Sequence, residues 1–218
     1  MNPALKPTKK EIVTEFRTRE ILAAARRLMQ SRGVEAVTME EIAAAAGVAK
    51  GTVYLYFQGK EDLIQALMSQ VGENLIQDLE TLLANPGSTG EKLNVLVTGL
   101  LKFVEEERFL FPFYVRDVIR GADSERQGLG SHPREVEAGF MALLERFFAE
   151  GIQAREFIPA DPRLLSYLLR GLVRAVGYYQ MTQSQKDGVG DALPVVKALL
   201  SSGLLARPRN EVDNGVEI

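Results

Sequence analysis

Residues 38–63, TMEEIAAAAGVAKGTVYLYFQGKEDL, decide the fold because they contain two short helical segments joined at a single glycine. Thr38 and Glu41 match the S/T-x-x-E capping box that begins a helix, and an alanine run follows as far as Gly47. Glycine tolerates a positive φ, so Gly47 predicts a tight turn before a second helix that begins near Ala49. The pattern predicts a helix-turn-helix, whose second helix lies in the major groove of DNA.

The second predicted helix has a core face and an outward face. Val53 and Phe57 point back towards the core, given the helical period. The outward positions offer a cation, a residue without a side chain, a hydroxyl and two phenols, at Lys50, Gly51, Thr52, Tyr54 and Tyr56. Such groups reach phosphates and base edges with little steric bulk. The outward face therefore predicts contacts with double-stranded DNA.

Apolar residues recur at helical spacing over almost the whole chain, without a convincing period-2 strand or an internal repeat. The fold class is therefore predicted to be all-α, with about nine helices. Besides the two short helices, helical segments are predicted at 8–31, 60–84, 88–107, 109–119, 133–155, 162–182 and 191–204, with a loop at 121–130. The inward side chains of the first and fifth helices are predicted to be Ile12, Phe16, Ile21, Leu22, Ala25, Leu28 and Met29, and Leu93, Leu96, Val97, Leu100, Leu101 and Val104.

The composition excludes several classes of site. With 46% hydrophobic residues the chain can bury a core, and it contains no cysteine and a single histidine, His132. Disulfides, thiolate metal sites and a cysteine nucleophile are excluded, and no metal or cofactor is expected. Neither an apolar run of membrane-spanning length nor the apolar part of a signal peptide is present. We therefore expect a cytoplasmic protein with no membrane partner.

The net charge of −3 hides a gradient along the chain. Residues 1–60 carry ten Lys and Arg against six acidic residues, a net charge of +4, and the remaining 16 basic and 23 acidic residues give −7. A basic first part on an acidic remainder suits a protein that offers one end to a polyanion, although solvated helix faces produce the same asymmetry.

The run from Ile21 to Leu63 resembles the DNA-binding domain of the TetR family of transcriptional regulators. The shared pattern is I-L-x-A-A-x-x-L in the first helix, then G-x-x-x-x-T-x-x-x-I-A-x-x-A-G-V-x-x-G-T-x-Y-x-Y-F-x-x-K-E-x-L. The second part matches at Gly33, Thr38, Ile42, Ala43, Ala46, Gly47, Val48, Gly51, Thr52, Tyr54, Tyr56, Phe57, Lys60, Glu61 and Leu63. So many matches make chance agreement improbable, although they cover only about a fifth of the chain.

The resemblance implies roles for seven residues on DNA, namely Thr38, Lys50, Gly51, Thr52, Tyr54, Tyr56 and Lys60. Thr38 would contact a phosphate from the start of the second helix. The next four would lie at the groove, with Lys50 as the best choice for a base contact. Tyr56 and Lys60 would hold the DNA backbone.

Two residues depart from the family pattern. The position that opens the recognition helix is often serine in the family, and here it is Ala49, which removes a helix cap and a phosphate contact. Leu55 occupies a position where the family often has a polar or aromatic residue. We therefore expect no hydrogen bond from Leu55 to DNA.

The resemblance also predicts the domain organisation. A DNA-binding domain with a flexible N-terminal arm is expected at 1–60, an effector-binding and dimerisation bundle at 61–206, and a disordered tail at 207–218. The dimer would pair the last two long helices with their copies and set two half-sites roughly 34–36 Å apart on a palindromic operator. The predicted interface residues are Leu165, Leu168, Leu169, Leu172, Val176, Leu193, Val196, Leu199 and Leu200. Alternatively, these apolar residues belong to the core of a single chain.

An apolar pocket with a few charged groups, suited to an amphipathic or aromatic small molecule, is predicted around the middle helices. Its lining residues are predicted to be Phe103, Phe113, Tyr114, Arg116, Phe140, Met141, Arg170, Arg174 and Tyr178. Core packing is the alternative role for each of them.

The leading hypothesis is a homodimeric repressor that a small amphipathic or aromatic effector releases from a palindromic operator. The effector would tilt the helix at 60–84 and spread the two recognition helices. The alternative is a DNA-binding protein of the same fold that acts through protein partners, as a nucleoid or cell-division factor without an effector. An enzyme is not expected, because residues 46–52 resemble a phosphate loop only superficially, with K-G-T in place of G-K-T and no preceding strand.

Overall fold

The computed structural model describes residues 8–116, 131–182 and 192–204, and within these ranges the chain forms nine helices and no strand. The predicted all-α fold is confirmed. The helices are α1 (Lys9–Arg32), α2 (Met39–Ala45), α3 (Lys50–Tyr56), α4 (Lys60–Ala84), α5 (Thr89–Glu106), α6 (111–116), α7 (Ser131–Gln153), α8 (Pro162–Thr182) and α9 (Ala192–Leu204). The predicted N-terminal arm, the loop at 121–130 and the tail at 207–218 lie outside the described residues.

Local signals account for most of the helix ends. Three helices begin on capping boxes, in which a hydroxyl accepts the backbone N–H three residues on and the glutamate there accepts the hydroxyl residue's own N–H. These pairs are Thr8–Glu11, Thr38–Glu41 and Ser88–Glu91. Gly47 follows α2 with φ +66°, as the predicted turn requires. The positive φ excludes β-branched residues there, so the turn depends on glycine.

The chain packs as two compact units, of which unit 1 contains residues 1–74 and 107–137. Its buried apolar residues come from one face of α1, from α2 and α3, and from the first part of α4. In this unit α1 packs against α2, and α2 against α3. These buried residues include Ile21, Leu22, Met29, Ile42, Val53, Phe57, Leu63, Ile64 and Leu67.

The first three turns of α1 differ from the prediction. Ile12 and Phe16 were expected to face inward, but both are exposed, as is Val13 beside them. The helical period correctly places them on one stripe, yet no described element covers this part of the helix. The prediction holds only from Ile21 onwards, where α1 meets the core.

A partly buried ion pair joins two segments of unit 1 that are far apart in the sequence. Arg26 of α1 donates to the carboxylate of Glu107, which follows α5 and keeps only 4% of its side-chain surface exposed. A buried carboxylate without a cation would be strongly destabilising, so residues 1–74 depend on the segment that begins at Glu107.

Unit 2 contains residues 75–106 and 138–218. All six predicted inward residues of α5 are buried, which confirms that part of the prediction. Phe147, Phe148 and Phe157 pack together with ring centroids 5.4–5.6 Å apart. Gly151 permits this packing, because a Cβ at that position would lie 2.3 Å from the Phe157 ring. The chain passes from unit 1 to unit 2 within α4, between residues 74 and 75. The predicted boundary at residue 60 concerns function and stays a prediction.

The two C-terminal helices correct the interface prediction in part. Five of the nine predicted interface residues are buried in the core of unit 2 and cannot reach a partner: Leu165, Leu169, Val176, Val196 and Leu200. For them the alternative, a role in the core of one chain, applies. Leu172 and Leu193 are half-buried, and Leu168 and Leu199 are exposed. Within the described ranges, no helix has both the length and the apolar character needed to cross a membrane.

Candidate nucleic-acid interface

The helix α3 is anchored to unit 1 through one face. Val53 is completely buried and Phe57, which ends the helix, is nearly so. In the preceding turn the N–H of Val48 donates to the carbonyl of Ala43 at 3.0 Å, which ties the turn to α2. Both predicted core positions of α3 are confirmed, so the opposite face of α3 is directed outward.

The outward face carries the predicted groups. Lys50, Gly51 and Tyr54 are exposed, and Thr52 and Tyr56 are half-buried on its flank. The predicted loss of a cap at Ala49 is also confirmed, since Ala49 is the N-cap and supplies no side-chain hydrogen bond. The first turn of α3 therefore has no side-chain cap.

Lys50 is held at the surface by two neighbours. Its ammonium group forms an ion pair with Glu40 of α2 and lies 5.9 Å from the ring centroid of Tyr54. The hydrogen bond from Lys50 lowers the pKa of Glu40, and the same bond raises the pKa of Lys50. Lys50 is therefore cationic and placed beside Tyr54. Exposed pairs of this kind exchange partners at little cost, so a phosphate or a base can replace Glu40.

Thr38 lies at the start of α2, where its hydroxyl accepts the N–H of Glu41 at 3.2 Å. The Glu41 carboxylate accepts the N–H of Thr38 at 2.8 Å and the guanidinium of Arg32 at 2.8 Å. Backbone hydrogen bonding from Thr38, followed by the bond from Arg32, lowers the pKa of Glu41 to about 2. The predicted phosphate contact of Thr38 would therefore form beside an ionised carboxylate.

The Glu41 network is expected to make the stability of unit 1 sensitive to acid. The pKa of Glu41 is about 2 in the folded chain against its usual 4.5, so its contribution is complete above pH 4.5 and is lost as the pH falls towards 2. Thermal unfolding followed from pH 7 to pH 3 is expected to show a shallower decline for Glu41→Gln than for the unmodified chain. Glu105→Gln, on the exposed surface of α5, is the control and should keep the original slope. Equal slopes for all three proteins would contradict this role of Glu41.

Lys60 begins α4, as predicted, and is half-buried. Its ammonium group donates to the backbone carbonyl of Glu35 at 3.3 Å, which fixes the start of α4 against the segment between α1 and α2. Lys60 thus has a structural partner, and its predicted contact with the DNA backbone stays a prediction.

The predicted pocket residues fall into both units. In unit 1, Arg116 lies 5.0 Å from the ring centroid of Phe113 and pairs with Glu61, and Tyr114 packs against Phe111. In unit 2, Met141 is buried, Tyr178 is exposed, and Phe103, Phe140, Arg170 and Arg174 are half-buried. Arg170 stacks on Tyr167, with 4.9 Å between its guanidinium carbon and the ring centroid. No set of acidic or histidine side chains suited to a metal ion occurs in the described part of the chain.

Sequence reasoning missed two partners of the predicted DNA-contacting residues. Glu40 pairs with Lys50 across the turn, and Arg32 reaches Glu41 from the end of α1. Neither pair has the i, i+4 spacing that marks an ion pair along one helix. Only the packing of α2 against α1 and α3 brings these charges together.

Two buried anchors, a glycine turn and an outward face that carries Lys50, Thr52 and two tyrosines are the features of a DNA-binding helix-turn-helix. Residues 21–67 match the bacterial regulatory proteins of the TetR family. The chain is 26% identical over 184 residues to the fatty acid metabolism regulator protein of Bacillus subtilis, covering 84% of this chain and 93% of that protein. It is 33% identical over 145 residues to the transcriptional regulator EthR of Mycobacterium tuberculosis, covering 66% and 64%. The crystal structure of FadR from Bacillus subtilis in complex with stearoyl-CoA is similar, with a TM-score of 0.67, 25% identity and coverage of 85% and 98%. Residues 21–67 are therefore a DNA-binding domain of the TetR family of transcriptional regulators.

Proposed function

We propose that this regulator is a homodimeric repressor that binds a palindromic operator and that a fatty acyl-CoA releases from DNA. The observation that carries the effector class is the similarity, over most of both chains, to a fatty acid metabolism regulator and to a FadR structure that contains stearoyl-CoA. An acyl-CoA is amphipathic, which agrees with the effector class predicted from the sequence. A location in the cytoplasm, where bacterial DNA lies, follows from this role.

DNA recognition is assigned to the outer face of α3. Lys50 leaves Glu40 to contact a base or a phosphate, and Tyr54 turns its phenol to the DNA from the same face. Gly51 and Thr52 lie at the groove beside them, and Tyr56 and Lys60 hold the DNA backbone. Thr38 supplies a phosphate contact from the start of α2.

Dimerisation is assigned to an exposed stripe on α8. Positions 164, 168, 171, 175 and 179 follow each other at intervals of four and three residues, the spacing of a helix–helix seam. They are occupied by Leu164, Leu168, Gly171, Ala175 and Tyr179, all exposed. A Cβ at Gly171 would meet nothing within 4 Å, so this glycine leaves room for a partner outside the chain. On α9 the exposed Val195 and Leu199 extend the interface.

The acyl-CoA is assigned to unit 2. Phe103, Phe140 and Met141 offer apolar surface for an acyl chain, and Arg170 and Arg174 offer cations for phosphate groups. Truncating an arginine that holds the head group would weaken the response to the ligand without removing operator binding.

The proposal is tested by first selecting operator fragments with the purified protein and then measuring operator binding by fluorescence anisotropy. Saturating stearoyl-CoA is expected to weaken operator binding about tenfold or more, since allosteric couplings are typically 5–150-fold. Coenzyme A without the acyl chain is the matched control and should leave binding unchanged. Operator affinity that is insensitive to acyl-CoAs of every chain length would overturn the effector class while leaving the DNA-binding function in place.

A further inference from the structure

The starting observation is a glycine that the fold does not require. Gly51 lies within α3 with ordinary helical backbone, and a Cβ built there would meet nothing within 4 Å. Glycine inside a helix is less favourable than alanine by about 1 kcal/mol. Packing within the described chain gives no reason to tolerate this loss. A close approach by a molecule outside the chain would give such a reason.

The neighbour of Gly51 along the same row of the helix is Leu55. At about 100° per residue, Gly51 and Leu55 both lie roughly 160° from the buried Val53, so they form the centre of the outward face. Leu55 is 83% exposed, the largest fraction among the exposed large hydrophobic residues of the described chain. Lys50 and Tyr54 lie on one side of this row, and Thr52 and Tyr56 on the other. The centre of an otherwise polar recognition face is therefore apolar.

The chemistry of the major groove offers one apolar partner for such a residue. Base edges there present hydrogen-bond donors and acceptors, and the 5-methyl group of thymine is the exception. We propose that Leu55 contacts the 5-methyl group of a thymine in each operator half-site, and that Gly51 lets the edge of that base pair approach α3. This proposal rests on the proposed DNA-binding function and makes Leu55 a specificity-determining residue that cannot hydrogen-bond its base.

The test uses the full-length protein and its selected operator, in which each thymine is replaced in turn by deoxyuridine at symmetric positions of both half-sites. Deoxyuridine keeps every hydrogen-bonding group and removes only the methyl. At one symmetric position the unmodified protein is expected to bind roughly three- to tenfold more weakly, in line with the burial of one methyl per half-site. Leu55→Ala is expected to lose similar affinity on the thymine operator and to show no further loss on the deoxyuridine operator.

Leu82→Ala, which changes an exposed leucine of α4 outside the DNA-binding motif, is the control and should keep both the affinity and the sensitivity to deoxyuridine. Losses from Leu55→Ala and from deoxyuridine that simply multiply would overturn the proposal, as would an operator without any sensitive thymine. In both cases selective operator binding would still support the DNA-binding function. Failure to select any preferred sequence would instead overturn that function and this proposal with it.

Discussion

Phe148→Ala is expected to destabilise the protein by about 3–5 kcal/mol, because it empties a fully enclosed site. Phe148 has no exposed surface and lies within 5.4–5.6 Å, between ring centroids, of Phe147 and Phe157. A Cβ at Gly151, one turn further along the same helix, would lie only 2.3 Å from the Phe157 ring, so Phe157 already packs tightly against α7 and has little freedom to move into the cavity. Since whole domains are stable by only about 5–15 kcal/mol, this single change removes a large share of the total.

The measurement is urea unfolding followed by circular dichroism at a fixed protomer concentration, because assembly also contributes to the stability of a dimer. Phe16→Ala makes the same chemical change at a position of α1 that is 53% exposed and is expected to shift the midpoint only slightly. Equal shifts for the two variants would contradict the description of the core of unit 2. Loss of operator binding by Phe148→Ala at moderate urea would follow from unfolding of unit 2, which carries the helices proposed to form the dimer.

Lys50→Ala is expected to weaken operator binding roughly 100-fold. A specific base contact contributes about 1–3 kcal/mol, and a dimer loses the contact in both half-sites. Lys50 is exposed and makes its described contacts only with Glu40 and Tyr54, so thermal stability should change little. Anisotropy titrations at two salt concentrations measure the loss, and the variant should also show a smaller dependence on salt if one contact per half-site is to a phosphate.

Lys102→Ala removes an exposed lysine of α5 that also pairs with a glutamate, Glu106, and serves as the matched control. Its operator affinity should equal that of the unmodified protein. Glu40→Gln removes the anion that competes with DNA for Lys50, so operator affinity should stay the same or rise in this variant. Operator binding that survives Lys50→Ala unchanged would mean that Lys50 serves only to join α2 and α3.

The parts of the structure that local chemistry controls could be predicted from the sequence. The capping boxes at Thr8, Thr38 and Ser88 depend on residues three positions apart, and the two faces of α3 follow from the helical period. The predictions that failed concern apolar stripes on helices, whose burial depends on whether another helix covers them. Phe16 and Leu165 both lie on apolar stripes, yet Phe16 is exposed and Leu165 is buried in the core of unit 2. Hydrophobic periodicity gives the direction of a side chain but not the presence of a neighbour.

For the candidate site, the sequence likewise predicted the local features but not the contacts between helices. Its groups follow from the motif, but the pairing of Lys50 with Glu40 and of Arg32 with Glu41 arises from tertiary packing. The exposure of Leu55 could have been derived from the helical period, since Leu55 lies opposite Val53. The family pattern indicated only that Leu55 cannot form a hydrogen bond to DNA, whereas the structure shows that its apolar side chain is exposed on the outward face of α3.

The pair formed by Arg26 and Glu107 bears on how hybrid biosensors could be assembled from regulators of this kind. A transplanted head that ended at residue 74 would leave Arg26 without its carboxylate and would omit the buried Leu110 and Phe111 of the same unit. The exchangeable part is therefore discontinuous in the gene. A chimera that carries both 1–74 and the segment from Glu107 keeps the charge pair matched, whereas a single crossover after the recognition helix separates it.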